Sequence, residues 1–484
     1  LRPRDLRLSN RPPQHLHRLG LVLRRGTEMF PPINGYAYHT GMLCHSTFGL
    51  TSLFAMQTSS NASRLSPWLP LNLPIQADIT WSSRVILLLG ITALLFFRAP
   101  HEFVSPQLWG EDGPIFLAQA RTHGIASIAI PHAGYLHVLP RMLALTATLF
   151  PLEYVPRLYF LFAVSAVLLV CCFLSFIPWL PPQLKIAFPL TVVLTPHYGE
   201  VFFTLTNIHW IVALLFPFLA LGVPIRSTSH LTRLSILIVV LALSDPFILF
   251  FYPLFFIRRL AHRGSERGEG VFFLVATFCA CLQAGVLLAA PRGAAKTFDT
   301  DLWHWLEALL LRPVAGLFLG KEVALLGYTS TPVFILIGLA LGLFLCTVLY
   351  SIITTTPQNR RILLFFFSVS AIAFTAAFLR SYDRPLVFAP FYGADRYYYI
   401  PYAFMIFGVL WFTHTVSGWR KRLGFAACFL ILMSSVSVFQ LPRRLDSHWT
   451  DHIKQLREQG HVRIPINPPG WSVDLYETPT SPDD

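Results

Sequence analysis

The sequence predicts an all-α membrane protein, a polytopic bundle of about eleven transmembrane helices with interfacial helices in the first outer loop. Of its 484 residues, 54% are hydrophobic and 13% are charged, whereas soluble domains contain about 25% charged residues. The mean hydropathy is +0.56. The 42 Phe and 11 Trp residues suit lipid contact and the aromatic belts at membrane surfaces.

The distribution of charge and cysteine excludes several other classes. The formal net charge is +13, but the basic residues lie in short clusters between apolar runs, a pattern typical of membrane orientation and contact with anionic lipids. We therefore expect membrane lipids and no nucleic acid as partners. The seven Cys residues lie mostly within apolar runs and form no CxxC pair, so we interpret them as small core residues.

Composition divides the chain into three predicted parts. Residues 1–80 form an N-terminal extension, residues 81–441 a transmembrane module, and residues 442–484 a short extracytoplasmic tail. Residues 1–55 are rich in Arg, His, Pro and Ser and show no helical or strand periodicity. Two interpretations of this stretch stay open: a disordered cytoplasmic tail, or sequence upstream of a true start near Met56.

The transmembrane module contains eleven apolar runs, several of them shorter than the roughly 20 residues of a perpendicular span. Together they predict the eleven spans. They cover residues 84–98, 157–178, 184–197, 208–224, 231–244, 246–258, 271–290, 328–351, 361–380, 397–416 and 423–441.

The basic clusters predict on which side of the membrane each loop lies. A basic cluster with Arg226 and Arg233 marks the start of the two runs within 231–258, and a second cluster, Arg258, Arg259, Arg263 and Arg267, marks their end. Both lie in the cytoplasm only if the chain turns back at Ser244-Asp245-Pro246. With that turn, the N-terminus is inside, while the loop 99–156 and the C-terminal tail are outside, in a multi-pass protein of the bacterial inner membrane. Arg443 and Arg444 are exceptions, because they fall on the outer side.

Two adjacent carboxylates, Glu111 and Asp112, follow the first apolar run. They lie in the segment Trp109-Gly110-Glu111-Asp112-Gly113-Pro114, whose Gly and Pro residues predict a fixed turn. Like charges repel, and neither acid enters hydrocarbon cheaply. The plain alternative is a solvated loop with two ordinary surface acids.

The remainder of this loop predicts two interfacial helices. Pro114–Ala120 reads as a short amphipathic helix with Pro in its first turn, and Pro131–Arg141 reads as a second one. Both are expected to lie along the outer membrane surface. The acidic pair is then held at the bilayer surface rather than exposed in bulk solvent.

Over residues 80–484 the sequence resembles the GT-C superfamily of integral membrane glycosyltransferases, which use polyprenyl-phosphate sugars. The resemblance rests on the acidic pair after the first span, the long first outer loop with interfacial helices, about eleven spans, and the aromatic-basic segment Gly393-Ala394-Asp395-Arg396-Tyr397-Tyr398-Tyr399-Ile400-Pro401. It implies transfer of a sugar, with inversion, from a polyprenyl-phosphate donor to a glycan, lipid or protein acceptor outside the cytoplasm.

That chemistry assigns expected roles. An acceptor hydroxyl is a poor nucleophile, so a carboxylate should take its proton. Asp112 is the first choice, with Glu111 either orienting it or holding a divalent cation, Mg²⁺ or Mn²⁺. The leaving phosphate needs positive charge, and the guanidinium of Arg396 supplies it bidentately. The alternative for Arg396 is an interfacial side chain beside Tyr397 and its neighbouring tyrosines.

Further polar residues are candidates for contact with the substrate. Each also has a plain alternative: an ordinary interfacial histidine, a membrane-interface residue, or, for the acid at the helix break, a helix cap. The candidates are His132, His137, Glu200, His209, Asp245 and Tyr397.

A transporter or flippase of a lipid-linked sugar or another anionic substrate is the alternative function. It explains the polar breaks in short spans and the outer arginines. The sequence contains no Walker loop, no GxGxxG after a strand and no HExxH, so ATP-driven transport and zinc hydrolysis have no support. The concentration of loop acids on one predicted face favours the enzyme.

Overall fold

The computed structural model describes residues 76–197, 199–222, 225, 227–262, 267–290, 300–380 and 396–477. The fold is predominantly helical. The predicted N-terminal extension lies outside the described residues except for its last five positions. The first three residues of the aromatic-basic segment, Gly393 to Asp395, and the end of the tail, 478–484, also lie outside them.

Five of the described helices are long and apolar enough to cross a membrane by length and composition. The helix 331–354 leaves Leu336, Leu339 and Leu343 exposed by 63%, 66% and 71%; apolar faces of this kind favour lipid as their surroundings. The count of about eleven spans stays a prediction. The five helices are Trp81–Arg98, Leu152–Ser175, Arg267–Ala289, Thr331–Thr354 and Pro357–Leu379.

The other elements are shorter or more polar. Besides the α-helices, they include 3₁₀ turns at Gly110–Asp112 and Gly124–Ala129 and π-helical stretches at Gly113–Leu117 and Leu311–Leu319. The remaining α-helices are Pro100–Val104, Ala118–His123, Val138–Ala147, Pro182–Leu194, Ile208–Val212, Leu215–Ala220, Thr228–Ala242, Phe247–Ala261, Leu302–Leu310, Gly320–Thr329, Arg396–Thr415, Gly418–Ser437 and Trp449–Gln459.

A core of aromatic rings lies around the helix Arg396–Thr415. Phe407 of this helix stacks on Phe188 with ring centroids 4.3 Å apart, and Phe404 stacks on Phe218 at 5.6 Å. Ring pairs in these geometries contribute beyond the area that they bury. The packing fixes the first turn of this helix, where Arg396 and Tyr397 lie.

The predicted break at Ser244-Asp245-Pro246 is present, because one helix ends at Ala242 and the next begins at Phe247. Asp245 Oδ1 accepts a 2.8 Å hydrogen bond from the Phe247 amide, which caps the second helix. Ser244 Oγ accepts a 2.7 Å bond from the Leu139 amide in the first loop. The break thus binds the loop 99–156 to the helix bundle.

The prediction of the second interfacial helix, Pro131–Arg141, was wrong for its first half. A helix begins only at Val138 and continues to Ala147. Residues before it form a turn, with Ala133 at φ 52° and Gly134 at φ 91°, closed by hydrogen bonds between the backbones of His132 and Tyr135. Left-handed backbone interrupts an α-helix. His132 and His137 therefore lie on either side of a turn rather than on one helix.

The first predicted interfacial helix is present over Gly113–His123, as a π-helical turn followed by the α-helix Ala118–His123. Phe116 and Leu117 are fully buried in it. They pack with the C-terminal residues rather than along a free surface. The loop 99–156 is therefore partly covered by protein.

The C-terminal segment, defined as residues 442–477, is more structured than the predicted simple tail. It contains the helix Trp449–Gln459 and an antiparallel hairpin of strands His461–Ile466 and Trp471–Tyr476, with Ile464 opposite Val473. Alternate residues of the first strand are buried, as expected for a half-covered sheet. The buried face of the hairpin packs on Phe116 and Leu117.

The buried contacts of Arg444 account for one of the two basic residues that disagree with the predicted side of the membrane. Its side chain is buried, with Nε 3.3 Å from Glu102 Oε1, and one terminal nitrogen donates to the carbonyls of Gln107 and Phe203 at 3.2 Å each. Its guanidinium carbon lies 5.0 Å from the Trp109 ring centroid. A residue used for packing in this way carries little information on membrane orientation.

Candidate functional site

The C-terminal segment holds the acidic turn, defined as residues 109–113. The Gly110 amide donates a 2.5 Å hydrogen bond to the Asn467 carbonyl, and the Asn467 amide donates to the Leu108 carbonyl at 3.2 Å. Gly110 has φ 49°, a conformation that favours glycine. A Cβ on Gly113 would lie 2.9 Å from Ile466 Cδ1, so glycine also permits the close approach of the hairpin.

The Asp112 side chain stabilises the acidic turn through hydrogen bonds with two backbone amides. Oδ1 accepts a 2.7 Å hydrogen bond from the Thr206 amide, and Oδ2 accepts a 3.2 Å bond from the Trp109 amide. The side chain is 1% exposed. Burial raises the pKa of Asp112 to about 7 although both amides favour the ionised form. The carboxyl is therefore poised near neutral pH, with both oxygens already accepting backbone hydrogen bonds.

Glu111 differs from Asp112 in exposure and in bonding. Its side chain is only partly buried, and no described residue donates a hydrogen bond to its carboxylate. It lies close enough to His132 and Arg396 to act electrostatically on both. Of the two acids, Glu111 is therefore the one that a ligand can reach.

Aromatic and imidazole rings form the centre of the site. The Tyr135 ring stacks on His137 with centroids 4.1 Å apart, and His132 and His209 lie 5.6 Å and 5.5 Å from His137. Burial lowers the pKa of His132 and lowers that of His137 well below its usual value. Neutral imidazoles each offer one donor and one acceptor, as recognition of hydroxyls requires.

Asp245 lies beside this ring group at the helix break. Its Oδ2 is 3.6 Å from His209 Nε2, a separation too long for a hydrogen bond. Asp245 is 1% exposed, and Oδ2 accepts no hydrogen bond within the part of the chain that the structure describes. Oδ1 caps a helix, as the plain interpretation predicts, while Oδ2 is left for another partner.

Arg396 and Glu200 form an ion pair near this group of rings. The terminal nitrogen of Arg396 donates to Glu200 Oε2 at 2.7 Å, with the two side chains 32% and 19% exposed. The Arg396 guanidinium carbon is 5.3 Å from the Tyr397 ring centroid. Trp210 connects this pair to the histidines, because its ring lies 5.2 Å from Tyr397 and 5.3 Å from His209.

The structure brings every sequence-predicted site residue into one connected cluster, which we call the polar cluster. Its members come from the first loop, the segment between the helices Pro182–Leu194 and Ile208–Val212, the helix break, and the beginnings of two helices. Their roles stay predictions. The predicted members are Glu111, Asp112, His132, His137, Glu200, His209, Asp245, Arg396 and Tyr397.

Sequence reasoning missed Arg141, Tyr135 and Phe116. Arg141 is 1% exposed, and none of its three guanidinium nitrogens has a hydrogen-bond partner among the described residues. Its guanidinium carbon lies 5.5 Å from the Phe116 ring centroid, and the Phe116 ring lies 5.7 Å from His137. A basic residue within an apolar interfacial helix was the available signal.

Of the acidic pair, the Glu111 carboxylate is the one that is open to a divalent cation. Both Asp112 oxygens accept backbone hydrogen bonds, and among the described residues no group of three or more His, Cys, Asp or Glu side chains is arranged to hold a metal ion. Mg²⁺ is usually bound by one or two carboxylates together with water and substrate phosphate, so a divalent cation held by Glu111 stays a prediction.

Comparison with protein-family models, with curated proteins and with solved structures finds no match to this chain. The geometry of the polar cluster is therefore the basis for assigning a function.

Asp112 predicts a pH dependence of stability. Its pKa rises from the usual 3.8 to about 7 on folding. The protonated carboxyl thus stabilises the fold fully below about pH 4, and this contribution is lost as the pH rises through about 7, by about 1.4 kcal/mol per unit. The amide of Asp112→Asn does not titrate, so the melting temperature of this variant should rise relative to wild type over that range. A constant difference would contradict the shift.

Proposed function

We propose that the protein is a membrane glycosyltransferase that transfers a sugar from a polyprenyl-phosphate donor to an extracytoplasmic glycan, lipid or protein acceptor, with inversion. The observation that carries the proposal is the convergence of two carboxylates, neutral histidines and a guanidinium in one cluster beside an interfacial loop. These groups match the needs of the reaction: a base, donors to sugar hydroxyls, and positive charge for a leaving phosphate.

The proposed topology places this cluster at the outer surface of the bacterial inner membrane. The five long helices coincide with five of the eleven predicted spans. The other six spans are proposed to be the helical stretches Pro182–Leu194, Ile208–Ala220, Thr228–Ala242, Phe247–Ala261, Arg396–Thr415 and Gly418–Ser437. The loop 99–156 and the C-terminal segment pack together, so they lie on one side, as the basic clusters predict. A donor with a phosphate at the bilayer surface meets the polar cluster at that depth.

The geometry favours roles for the two acids that are the reverse of those expected from the sequence. Sequence reasoning preferred Asp112 as the base. Asp112 is buried and bonded to two backbone amides, which suits a positioning residue. Glu111 is partly exposed beside His132 and Arg396, so we assign the proton transfer to Glu111.

In the proposed reaction, the acceptor oxygen attacks the anomeric carbon from the face opposite the phosphate. Its proton passes to the Glu111 carboxylate while the new C–O bond forms. The bond between the anomeric carbon and the phosphate oxygen breaks, and the electron pair leaves with the lipid phosphate. His132 and His137 donate to oxygens of the sugar or phosphate, and the Asp245 Oδ2 and His209 side chains bind sugar hydroxyls.

Purified protein in detergent provides the test of this function. Wild-type protein should transfer a labelled sugar from at least one donor in a panel of polyprenyl-phosphate hexoses and pentoses, with a lipid or glycan extract as acceptor. Asp112→Asn and Glu111→Gln variants that fold normally should transfer far less. No transfer from any donor, or equal transfer by wild type and the double variant, would reject the assignment.

Arg396 is expected to contribute to binding of the sugar donor through its charge and through the paired N–H groups of its planar guanidinium. Arg396→Lys keeps the charge but loses the planar fork, so it should weaken activity less than Arg396→Ala. Because Arg396→Ala also leaves Glu200 unpaired, the double variant Arg396→Ala, Glu200→Gln separates the two effects. The KM for the donor is the measurement. An unchanged KM and rate in Arg396→Ala would remove Arg396 from the site.

A further inference from the structure

Arg141 is a buried charge for which no structural partner is visible. The side chain is 1% exposed, and Nε and both terminal nitrogens have no hydrogen-bond partner among the described residues. Burial lowers the pKa of Arg141 to about 10, so the guanidinium is still charged at neutral pH. A buried, unpaired guanidinium destabilises a fold, and a bound anion removes that cost.

The other buried arginines of the chain show what structural partners look like. Arg98 donates to the carbonyls of Val193 and His197 at 3.0 Å and 3.1 Å. Arg258 donates to both oxygens of Glu269 at 2.9 Å and 2.8 Å. Among the described residues, the contact found for the Arg141 guanidinium is the Phe116 ring, whose centroid is 5.5 Å from its guanidinium carbon. A purely structural role does not explain this difference.

The position of Arg141 joins it to the polar cluster. Phe116, on which it rests, packs against His132 and His137 with ring centroids 6.3 Å and 5.7 Å away. Arg141 is close enough to act electrostatically on both histidines. Arg396, by contrast, is already paired with Glu200 at 2.7 Å. The cationic group left for an anion at the His132 side of the cluster is therefore Arg141.

We propose that Arg141 binds the phosphate group of the ligand, with His132 as its neighbour. This inference rests on the proposed function for the identity of the ligand, a polyprenyl phosphate, but the chemistry itself requires only a phosphate. A guanidinium presents paired donors to two phosphate oxygens. A neutral His132 adds one donor without a further charge.

The test measures binding, so that it does not depend on sugar transfer. Purified full-length protein in detergent is titrated with polyprenyl phosphate, inorganic phosphate and uncharged polyprenol. Wild type should bind polyprenyl phosphate. Because hydrogen bonds to charged groups contribute about 1.5–3 kcal/mol, Arg141→Met should weaken this binding about 10- to 100-fold, and Arg141→Lys by less. Arg157→Met, which removes an exposed arginine of the following helix Val155–Ser175, is the matched control and should bind normally.

Stability without ligand separates a binding role from a structural one. Arg141→Met removes an unpaired buried charge, so its melting temperature should equal or exceed that of wild type. A markedly lower melting temperature, or unchanged binding in both Arg141 variants, would overturn the proposal. Binding of inorganic phosphate at the same site supports a general phosphate subsite, whereas tighter binding of polyprenyl phosphate identifies the lipid. Phosphate binding that depends on Arg141, without sugar transfer, would reject the proposed function alone.

Discussion

Glu111→Gln is expected to lower the rate of sugar transfer by about 10²–10⁴-fold, the usual contribution of a general base. The amide keeps the size of the side chain but does not accept a proton. Glu111 is partly exposed, and no described residue donates a hydrogen bond to it, so the melting temperature should not change. Single-turnover transfer with saturating donor is the measurement, and Glu458→Gln, at an exposed position of the C-terminal helix, is the control.

The Asp112→Asn variant tests whether Asp112 positions the acidic turn or acts as the general base. If Asp112 only positions the turn, its variant should lose activity together with order in the turn, because an Asn side chain has one acceptor oxygen where Asp112 accepts from both Thr206 and Trp109. A well-folded Asp112→Asn variant with a full loss of rate, beside a normal Glu111→Gln variant, would restore Asp112 as the base.

Arg444→Met is expected to destabilise the protein by about 3–5 kcal/mol, the usual cost of removing one partner of a buried ion pair. Glu102 would be left buried without its cation; burial already raises the pKa of this carboxyl even with Arg444 beside it. Bonds from Arg444 to the carbonyls of Gln107 and Phe203 would also be lost. A lower melting temperature and faster proteolysis of the C-terminal segment are the measurements.

The neighbouring residue supplies a matched control for Arg444. Arg443 is exposed, so Arg443→Met should have little effect although it removes the same charge. The double variant Glu102→Gln, Arg444→Met should be more stable than Arg444→Met alone, because no buried charge is left unpaired. Equal stability of the Arg443 and Arg444 variants would contradict a stabilising role for the buried Arg444–Glu102 pair, which joins the C-terminal segment to the first loop.

The sequence predicted some of the backbone around the candidate residues and missed the rest. The helix break at Asp245 was predicted from the basic clusters on either side of residues 231–258, and the break is present. Pro131–Arg141 was predicted as one helix, but the left-handed residues Ala133 and Gly134 turn the chain. Ala at φ 52° has no sequence signal, because the loop is stabilised by contacts with distant helices, such as the bonds between Leu136 and Gln283.

Long-range packing accounts for the remaining differences. The alternation in His461–Ile466 and the turn residues before Trp471 are local signals for a hairpin, but nothing local indicates that the hairpin covers Phe116. The difference between Glu111 and Asp112 is set by the Thr206 amide, 94 residues away. The solitary guanidinium of Arg141 is likewise recognisable only when its surroundings are known.

Sealed proteoliposomes test most directly whether the polar cluster transfers a sugar. The protein is reconstituted with a labelled polyprenyl-phosphate sugar in one leaflet, and both transfer to acceptor and movement of the donor between leaflets are followed. We predict transfer that requires Glu111 and no movement of the donor above that in protein-free vesicles. Movement of the donor without transfer, unaffected by Glu111→Gln, would contradict the account and identify a transporter.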